Sequence, residues 1–168
     1  SSSVNSSSSS SISISYSKDT HFGLDKIGDL SQTSGVLASL GISWTYKDIT
    51  PSTATKTIDD FVKQTEDIGI VPILNLSTAS KKYPSDESAW KSFIQKTVDR
   101  YDGDGKNDMP NLKNPIKYWH VIQEWKVHWE GTAEEYTAFL NMTNDVIKEE
   151  DASAKVILVG LATRDMEY

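Results

Sequence analysis

The sequence predicts an α/β protein with a parallel sheet, either closed into a barrel or doubly wound. From residue 21 onward, short apolar runs alternate with stretches whose apolar residues recur at helical spacing. Apolar strands separated by helices imply a parallel sheet that is covered on both faces. No glycine-rich phosphate-binding fingerprint follows the first strand, so a dinucleotide-binding fold is disfavoured.

The predicted elements are five strands and four helices in strict alternation. The strands cover residues 21–25, 42–49, 70–77, 116–123 and 155–162. The helices lie near residues 30–40, 58–68, 90–101 and 136–147. Gly41 and Gly69 follow the first two helices, where glycine favours a C-terminal stop. Functional groups in such folds lie at the carboxyl ends of the strands.

The chain divides into a serine-rich start and one domain. Residues 1–17 hold twelve serines, a composition that buries too little apolar surface to offset its ordering entropy, so we expect a flexible tether. The stretch SISIS alternates with strand period, which leaves an edge strand as the alternative. Residues 18–168 are long enough for one domain with a hydrophobic core, which we expect to be a partial barrel.

The composition argues against several classes of partner. The net charge is −7, and the sequence has no cluster of Lys and Arg that would neutralise nucleic acid or an anionic membrane. No apolar run reaches the length of a membrane-spanning helix. Cysteine is absent, which removes disulfides and thiolate chemistry. We therefore expect no nucleic-acid partner and no membrane span.

The segment YDGDGKNDMPNL, residues 101–112, contains a candidate structural Ca²⁺ site. Asp102, Asp104 and Asp108 have the pattern D-x-D-G-x-x-D, which sets three hard oxygen ligands on a tight turn. The loop is shorter than an EF-hand loop and lacks its terminal Glu. The alternative is a polar helix-to-strand connection in which Asp and Gly supply only turn geometry. We expect no cofactor for catalysis.

Five stretches of the sequence carry a family resemblance. They are GISWTYKDITP, DDFVKQTEDIGIVPILNL, WKSFIQKTVDRYDGDG, IKYWHVIQEW and GTAEEYTAFLNMTNDVIKEEDASAKVILVGLA. Together, over residues 21 to 163, they resemble the first half of a clan A glycoside hydrolase, a cellulase-like or xylosidase-like (β/α)8 barrel. In that clan the fourth strand ends in YW-x-x-x-NEP, and its Glu is the general acid/base of a retaining mechanism. Tyr118, Trp119, Gln123 and Glu124 stand at those places.

Glu124 is therefore the candidate general acid/base. A carboxyl group flanked by Trp119, Trp125 and Trp129 would be partly desolvated, which raises its pKa and suits it to protonate a glycosidic oxygen. The same three rings could stack on sugars, so they are candidate substrate-binding residues.

A structural interpretation of the same residues stays open. In it, Glu124 caps the helix that begins near Thr132 or pairs with Lys126, and the tryptophans belong to the core.

The other candidate substrate-binding residues are Tyr46, Asn75, Gln123 and His128. Three positions depart from what the resemblance implies. Gln123 stands in place of an Asn, Trp125 in place of a Pro, and Tyr46 in place of an Arg on the second strand. These departures favour a relative that has lost catalysis as the alternative.

The resemblance also implies a second carboxylate that the sequence does not contain. Retaining glycosidases need two carboxyl groups about 5 Å apart, and the clan's nucleophile lies on the seventh strand. A barrel of this type usually takes about 250 residues. We therefore expect an incomplete barrel, which is either a portion of a longer protein or a fragment whose open edges are completed by another chain or another copy.

Two functions are consistent with the sequence. The first is an extracellular or cell-surface glycoside hydrolase domain, or its N-terminal half, that cleaves a β-linked poly- or oligosaccharide by a retaining mechanism. The second is a non-catalytic carbohydrate-binding or assembly protein on a degenerate barrel. Carbohydrate is the expected ligand.

Two further residue types carry weaker signals. Asn5, Asn75 and Asn141 lie in N-x-S/T sequons, which matter only if the chain enters a glycosylating secretory route. His21 and His120 make no metal-ligand spacing with the remaining histidine, and we expect both to be structural.

Overall fold

The computed structural model describes residues 22–24, 36–37, 40–124 and 128–158. Within these residues, five strands form one parallel sheet in the sequential order β1-β2-β3-β4-β5. The strands are β1 Phe22–Leu24, β2 Ile42–Ile49, β3 Val71–Leu76, β4 Tyr118–Val121 and β5 Lys155–Ile157. The helices are α1 Thr55–Asp67, α2 Glu87–Tyr101 and α3 Ala133–Glu150.

The prediction of an α/β fold with five sequential parallel strands is confirmed. Val36 and Leu37 are helical and fall within the helix predicted near residues 30–40, most of which lies outside the described residues. The serine-rich residues 1–17 lie outside them as well. None of the helices that the structure describes is long and apolar enough to cross a membrane.

The sheet separates polar from apolar side chains by strand alternation, because successive residues of a strand project to opposite faces. Asp48, Asn75 and His120 are paired in register on three neighbouring strands, and we call the face that they share the inner face. Leu74 and Trp119 are paired in register on the opposite face and are fully buried there. The parallel register therefore sorts the sheet into two chemically different sides.

The helices cover the face opposite the inner face. One hydrophobic cluster joins this side of the sheet to all three helices: Leu74, Leu76, Trp119 and Val121 from the strands and Ile58, Val62, Ile94, Val98, Phe139 and Ile147 from the helices. Full burial of each Leu, Ile or Val side chain contributes about 1.5–3 kcal/mol. This cluster is the main source of stability in the described part of the chain.

Capping residues fix where two of the helices begin. The Asp86 side chain accepts a hydrogen bond from the Ala89 N–H at 2.9 Å and caps α2. Thr132 and Glu135 form a reciprocal capping box at the start of α3, with distances of 3.2 and 2.9 Å. Caps of this kind each stabilise a helix by about 1 kcal/mol.

An ion pair joins α1 to α2. The Arg100 guanidinium donates two hydrogen bonds to the two carboxylate oxygens of Asp59, at 2.9 and 2.7 Å. The fully buried Tyr101 also donates its hydroxyl to Asp59 at 2.7 Å. The Arg100 hydrogen bond is the main cause that holds the pKa of Asp59 below its ordinary value of 3.8. The two-pronged geometry and partial burial make this pair stronger than an ordinary surface ion pair.

We predict that Asp59→Asn lowers the free energy of unfolding by roughly 1–2 kcal/mol at pH 7, because the amide cannot replace the charge-assisted bonds. The folded-state pKa of Asp59 lies below its unfolded value. The pair therefore stabilises the fold fully above about pH 4, and the contribution is lost as the pH falls through the folded-state pKa. Urea unfolding of both proteins between pH 7 and pH 3 should show the difference shrinking.

Asp60→Asn is the matched control. Asp60 pairs with Lys56 on the same helix, but the two side chains are 52% and 83% exposed. Exposed pairs contribute little, so this substitution should change stability by less than about 0.5 kcal/mol. Equal effects of the two substitutions would show that the Asp59–Arg100 pair does not join the helices energetically.

Candidate functional site

The carboxyl end of β4 carries Glu124 in a strained backbone turn. Ile122 and Glu124 have φ values of +53° and +51°, and Gln123 lies between them. Positive φ is uncommon for non-glycine residues and is an outlier for a β-branched residue such as Ile. Strain of this type is concentrated at functional sites, where surrounding contacts hold it. Ile122 is fully buried, and its N–H donates to the Leu76 carbonyl at 3.1 Å.

Gln123 reaches across the inner face to β2. The Tyr46 hydroxyl donates a hydrogen bond to Gln123 Oε1, and Tyr46 is only 7% exposed. This bond holds the Gln123 side chain with its amide oxygen toward the Tyr46 hydroxyl. Two predicted substrate-binding residues are thus brought together, beside Glu124.

Two of the predicted stacking residues lie in the core instead. Trp119 is fully buried on the helix-covered face of the sheet. Trp129 is 4% exposed, and the centroid of its ring lies 5.3 Å from that of Phe139 and 5.6 Å from that of Tyr136. Neither ring presents a face to a ligand in this arrangement, so the assignment of these two residues to a sugar-stacking surface is corrected to a packing role. Trp125 lies outside the described residues.

The suggestion that Glu124 caps the following helix is also corrected. Thr132 and Glu135 form the cap of α3, as described above, so Glu124 has no part in it. The Glu124 carbonyl instead accepts a hydrogen bond from the His128 N–H at 3.0 Å. The side chains of Glu124 and His128 are both partly exposed. Lys126, the other suggested partner, lies outside the described residues.

A polar row runs across the inner face near the carboxyl ends of three strands. Asp48, Asn75 and His120 occupy one level of the sheet, and Asn75 Nδ2 donates to Asp48 Oδ1 at 2.6 Å. Asn75 is 3% exposed, whereas Asp48 is exposed and His120 partly exposed. Desolvation lowers the pKa of His120, which a polar contact with the Leu158 backbone partly offsets. The ring is therefore neutral at pH 7.

Sequence reasoning identified only Asn75 in this row. His120 was expected to be structural, and no role was predicted for Asp48. The signal that could have found them is the alternation along the strands. It places Asp48 two residues after Tyr46 and His120 four residues before Glu124, near the ends of predicted strands.

The three aspartates of the α2–β4 connection do converge. Each of Asp102, Asp104 and Asp108 offers a carboxylate oxygen within 4.8 Å of the others. The same carboxylates accept backbone bonds within the loop, since Asp108 receives the N–H groups of Gly103 and Gly105 at 3.1 and 2.8 Å. Burial and the neighbouring carboxylates raise the pKa of Asp102. The arrangement fits both a cation site and the turn chemistry that was its alternative.

A groove of about 410 Å³ lies elsewhere in the described part of the molecule, between the start of α1 and α2. Its lining includes Thr55, Phe93, Lys96 and Arg100, and it includes none of the predicted site residues. It is therefore separate from the carboxyl end of β4.

The described fold is that of part of a (β/α)8-type barrel, an architecture in which strand ends carry the functional groups. Among solved structures, the chain is similar to a glucosidase from Croceicoccus marinus, with a TM-score of 0.61 and 13% sequence identity. The match covers 80% of this chain and 35% of the glucosidase chain. No protein-family model and no curated protein matches the sequence. At this level of identity the likeness establishes the fold alone.

The Ca²⁺ site stays a prediction, and it is tested by calorimetry and thermal unfolding in the presence of CaCl₂. Convergent carboxylates should bind the ion and lose their mutual repulsion, so Ca²⁺ should raise the melting temperature. At 100 times the dissociation constant the stabilisation should be about 2.7 kcal/mol.

Asp104→Asn is the informative variant for this test. Its amide oxygen can still accept from the Lys106 N–H, as Asp104 does at 2.7 Å, but one anionic ligand is lost. The variant should bind Ca²⁺ at least tenfold more weakly, while Asp60→Asn should bind as the parent does. An absence of heat and of any thermal shift with the parent protein would leave the loop as a turn without a metal.

Proposed function

We propose that this chain is part of a glycoside hydrolase that cleaves β-linked poly- or oligosaccharides by a retaining mechanism. The observation that carries the proposal is the position of Glu124. It is a partly exposed carboxyl group in a strained turn at the carboxyl end of β4, beside an amide that a second strand holds in place. The similarity of the fold to a glucosidase supports the same function.

In the proposed mechanism, Glu124 carries the proton. Its carboxylic acid protonates the glycosidic oxygen as the bond to the leaving group breaks, and its carboxylate then removes a proton from the water that releases the sugar. Gln123, with its oxygen held by Tyr46, directs its amide nitrogen as a donor to a sugar hydroxyl.

A retaining mechanism also needs a nucleophilic carboxylate about 5 Å from the acid/base. The family resemblance implies that this group lies on a seventh strand, which is beyond the five strands described for this chain. We propose that strands outside this segment supply it.

The second candidate function is carbohydrate binding without hydrolysis. The observation that favours it is the burial of Trp119 and Trp129, which removes two of the rings that would otherwise hold a sugar beside Glu124. The two functions differ in one measurable respect, because only the hydrolase depends on the proton of Glu124.

We predict that Glu124→Gln in the full-length protein lowers the turnover of unactivated β-glycosides by about 10²–10⁴-fold, because the amide keeps the shape of the side chain but cannot deliver a proton. Glycosides with good leaving groups should lose less in the first step, because they need less protonation. Binding of the unreactive product should change by less than about threefold. Kinetics on both substrate types and calorimetry with product measure these effects.

Glu130→Gln is the matched control for that substitution. Glu130 is 59% exposed and lies 3.8 Å from Lys82, so the loss of its charge should leave turnover unchanged. A parent protein that binds sugars but hydrolyses none of them would instead support the non-catalytic function. Full activity in Glu124→Gln would remove Glu124 from the mechanism.

We also propose that the protein is extracellular or on the cell surface, and the sequons supply a test. Asn141 is exposed on α3, whereas Asn75 is buried and donates to Asp48. A glycan at Asn75 would break that bond and could not fit the folded sheet.

When the protein is expressed through a eukaryotic secretory route, we expect the folded, secreted material to carry a glycan at Asn141 and none at Asn75. Peptide mapping after enzymatic glycan release, which converts a modified Asn to Asp, measures both sites. Asn141→Gln should remove that signal and leave secretion unchanged. A glycan at Asn75 in folded protein would contradict its placement within the sheet.

A further inference from the structure

Two hydrogen-bond acceptors on the inner face are buried without a partner. Asn75 Oδ1 and His120 Nε2 have no hydrogen bond to any described residue. A buried polar atom in this state costs about 1–3 kcal/mol, and an orphaned atom in a folded protein calls for an explanation. The two atoms belong to residues paired in register on β3 and β4, whose strands are about 4.8 Å apart.

Both atoms are hydrogen-bond acceptors. Asn75 uses its amide nitrogen as the donor to Asp48, which identifies the unpartnered atom as the carbonyl oxygen. The contact between the His120 ring and the Leu158 backbone favours a proton on the other ring nitrogen, so a neutral ring leaves a lone pair at Nε2. Both atoms therefore need a donor from outside the row.

The exposure of the residues around Asn75 and His120 indicates from which side of the sheet a donor can approach. Asp48, at one end of the row, is exposed, and His120, at the other, is partly exposed. At the carboxyl end of the same sheet, Gln123 and Glu124 are partly exposed as well. Gln123 and Glu124 follow His120 in the chain by three and four residues. A ligand that contacts Glu124 is thus within reach of the row.

We propose that Asn75 Oδ1 and His120 Nε2 accept hydrogen bonds from sugar hydroxyl groups, which makes His120 a specificity-determining residue of the site. This inference rests on the proposed function, since it assigns part of the same sugar site. A site with unpartnered acceptors selects against analogues that lack the matching hydroxyl, because the acceptors then stay unsatisfied.

The test uses the full protein with methyl β-D-glucopyranoside and its four monodeoxy analogues, lacking the hydroxyl at carbon 2, 3, 4 or 6. His120→Phe removes the acceptor, while His120→Gln keeps an acceptor close to the place of Nε2. Glu130→Gln again serves as the control. Dissociation constants are measured by calorimetry, and the ¹⁵N resonances of the His120 ring are recorded with and without the glucoside.

We expect His120→Phe to weaken binding of the parent glucoside about tenfold, which corresponds to about 1.4 kcal/mol. His120→Gln should lose at most about threefold. One deoxy analogue should bind the unaltered protein about tenfold more weakly, and His120→Phe should not weaken that analogue further, because the lost hydroxyl and the lost acceptor are partners. The Nε2 resonance should shift when the glucoside is added, which a purely structural histidine would not show.

Three results would overturn the assignment. Equal binding of the glucoside by the parent, His120→Phe and His120→Gln would remove His120 from the site and leave the proposed function standing. An Nε2 proton bonded to Asn75 both with and without sugar would show that the two atoms satisfy each other. If the parent protein binds no glucoside of the panel and hydrolyses no β-linked oligosaccharide, the proposed function fails, and this inference fails with it.

Discussion

The parallel register of β2, β3 and β4 is the constraint on which the rest of the structure depends. Hydrogen bonds between the strands fix which residues lie side by side, so Asp48, Asn75 and His120 share one face while Leu74 and Trp119 share the other. A slip of one residue in a strand would exchange its two sets of side chains. It would bury polar groups beneath the helices and expose an indole ring. The helix-covered core therefore selects the register, and the register delivers polar groups to the strand ends.

The sequence predicted the strands well because a sheet covered by helices leaves a continuous apolar signal. The roles of single residues were harder to predict. Whether Trp119 faces a ligand or the core depends on which face of β4 it takes, and that is known only once the strand is paired. Trp129 is fixed by contacts with Tyr136 and Phe139, which local pattern does not reveal. His120 was missed because its importance comes from neighbours on other strands.

The surroundings of Glu124 also differ in kind from those that the sequence suggested. The sequence pointed to flanking tryptophans, whereas the structure shows a turn with positive φ at Ile122 and Glu124. Backbone strain of this kind costs about 1–3 kcal/mol per residue. Full burial of the Ile122 side chain contributes about 1.5–3 kcal/mol, which is comparable. Burial can therefore offset the strain at Ile122 itself, and propensity alone would not have predicted a β-branched residue there.

The two departures from the family pattern at Tyr46 and Gln123 are best understood together. Glutamine is one methylene longer than the asparagine that the resemblance implies, and the extra length lets its oxygen meet the Tyr46 hydroxyl on β2. Tyr46 stands where an arginine is implied, so a donor is retained at that position although the charge is lost. With its oxygen engaged, Gln123 keeps the amide nitrogen as a donor, which is the polarity that an asparagine would offer to a sugar. Each replacement alone would suggest a site that has lost catalysis. As a bonded pair they orient the Gln123 amide beside Glu124, which is compatible with the proposed function.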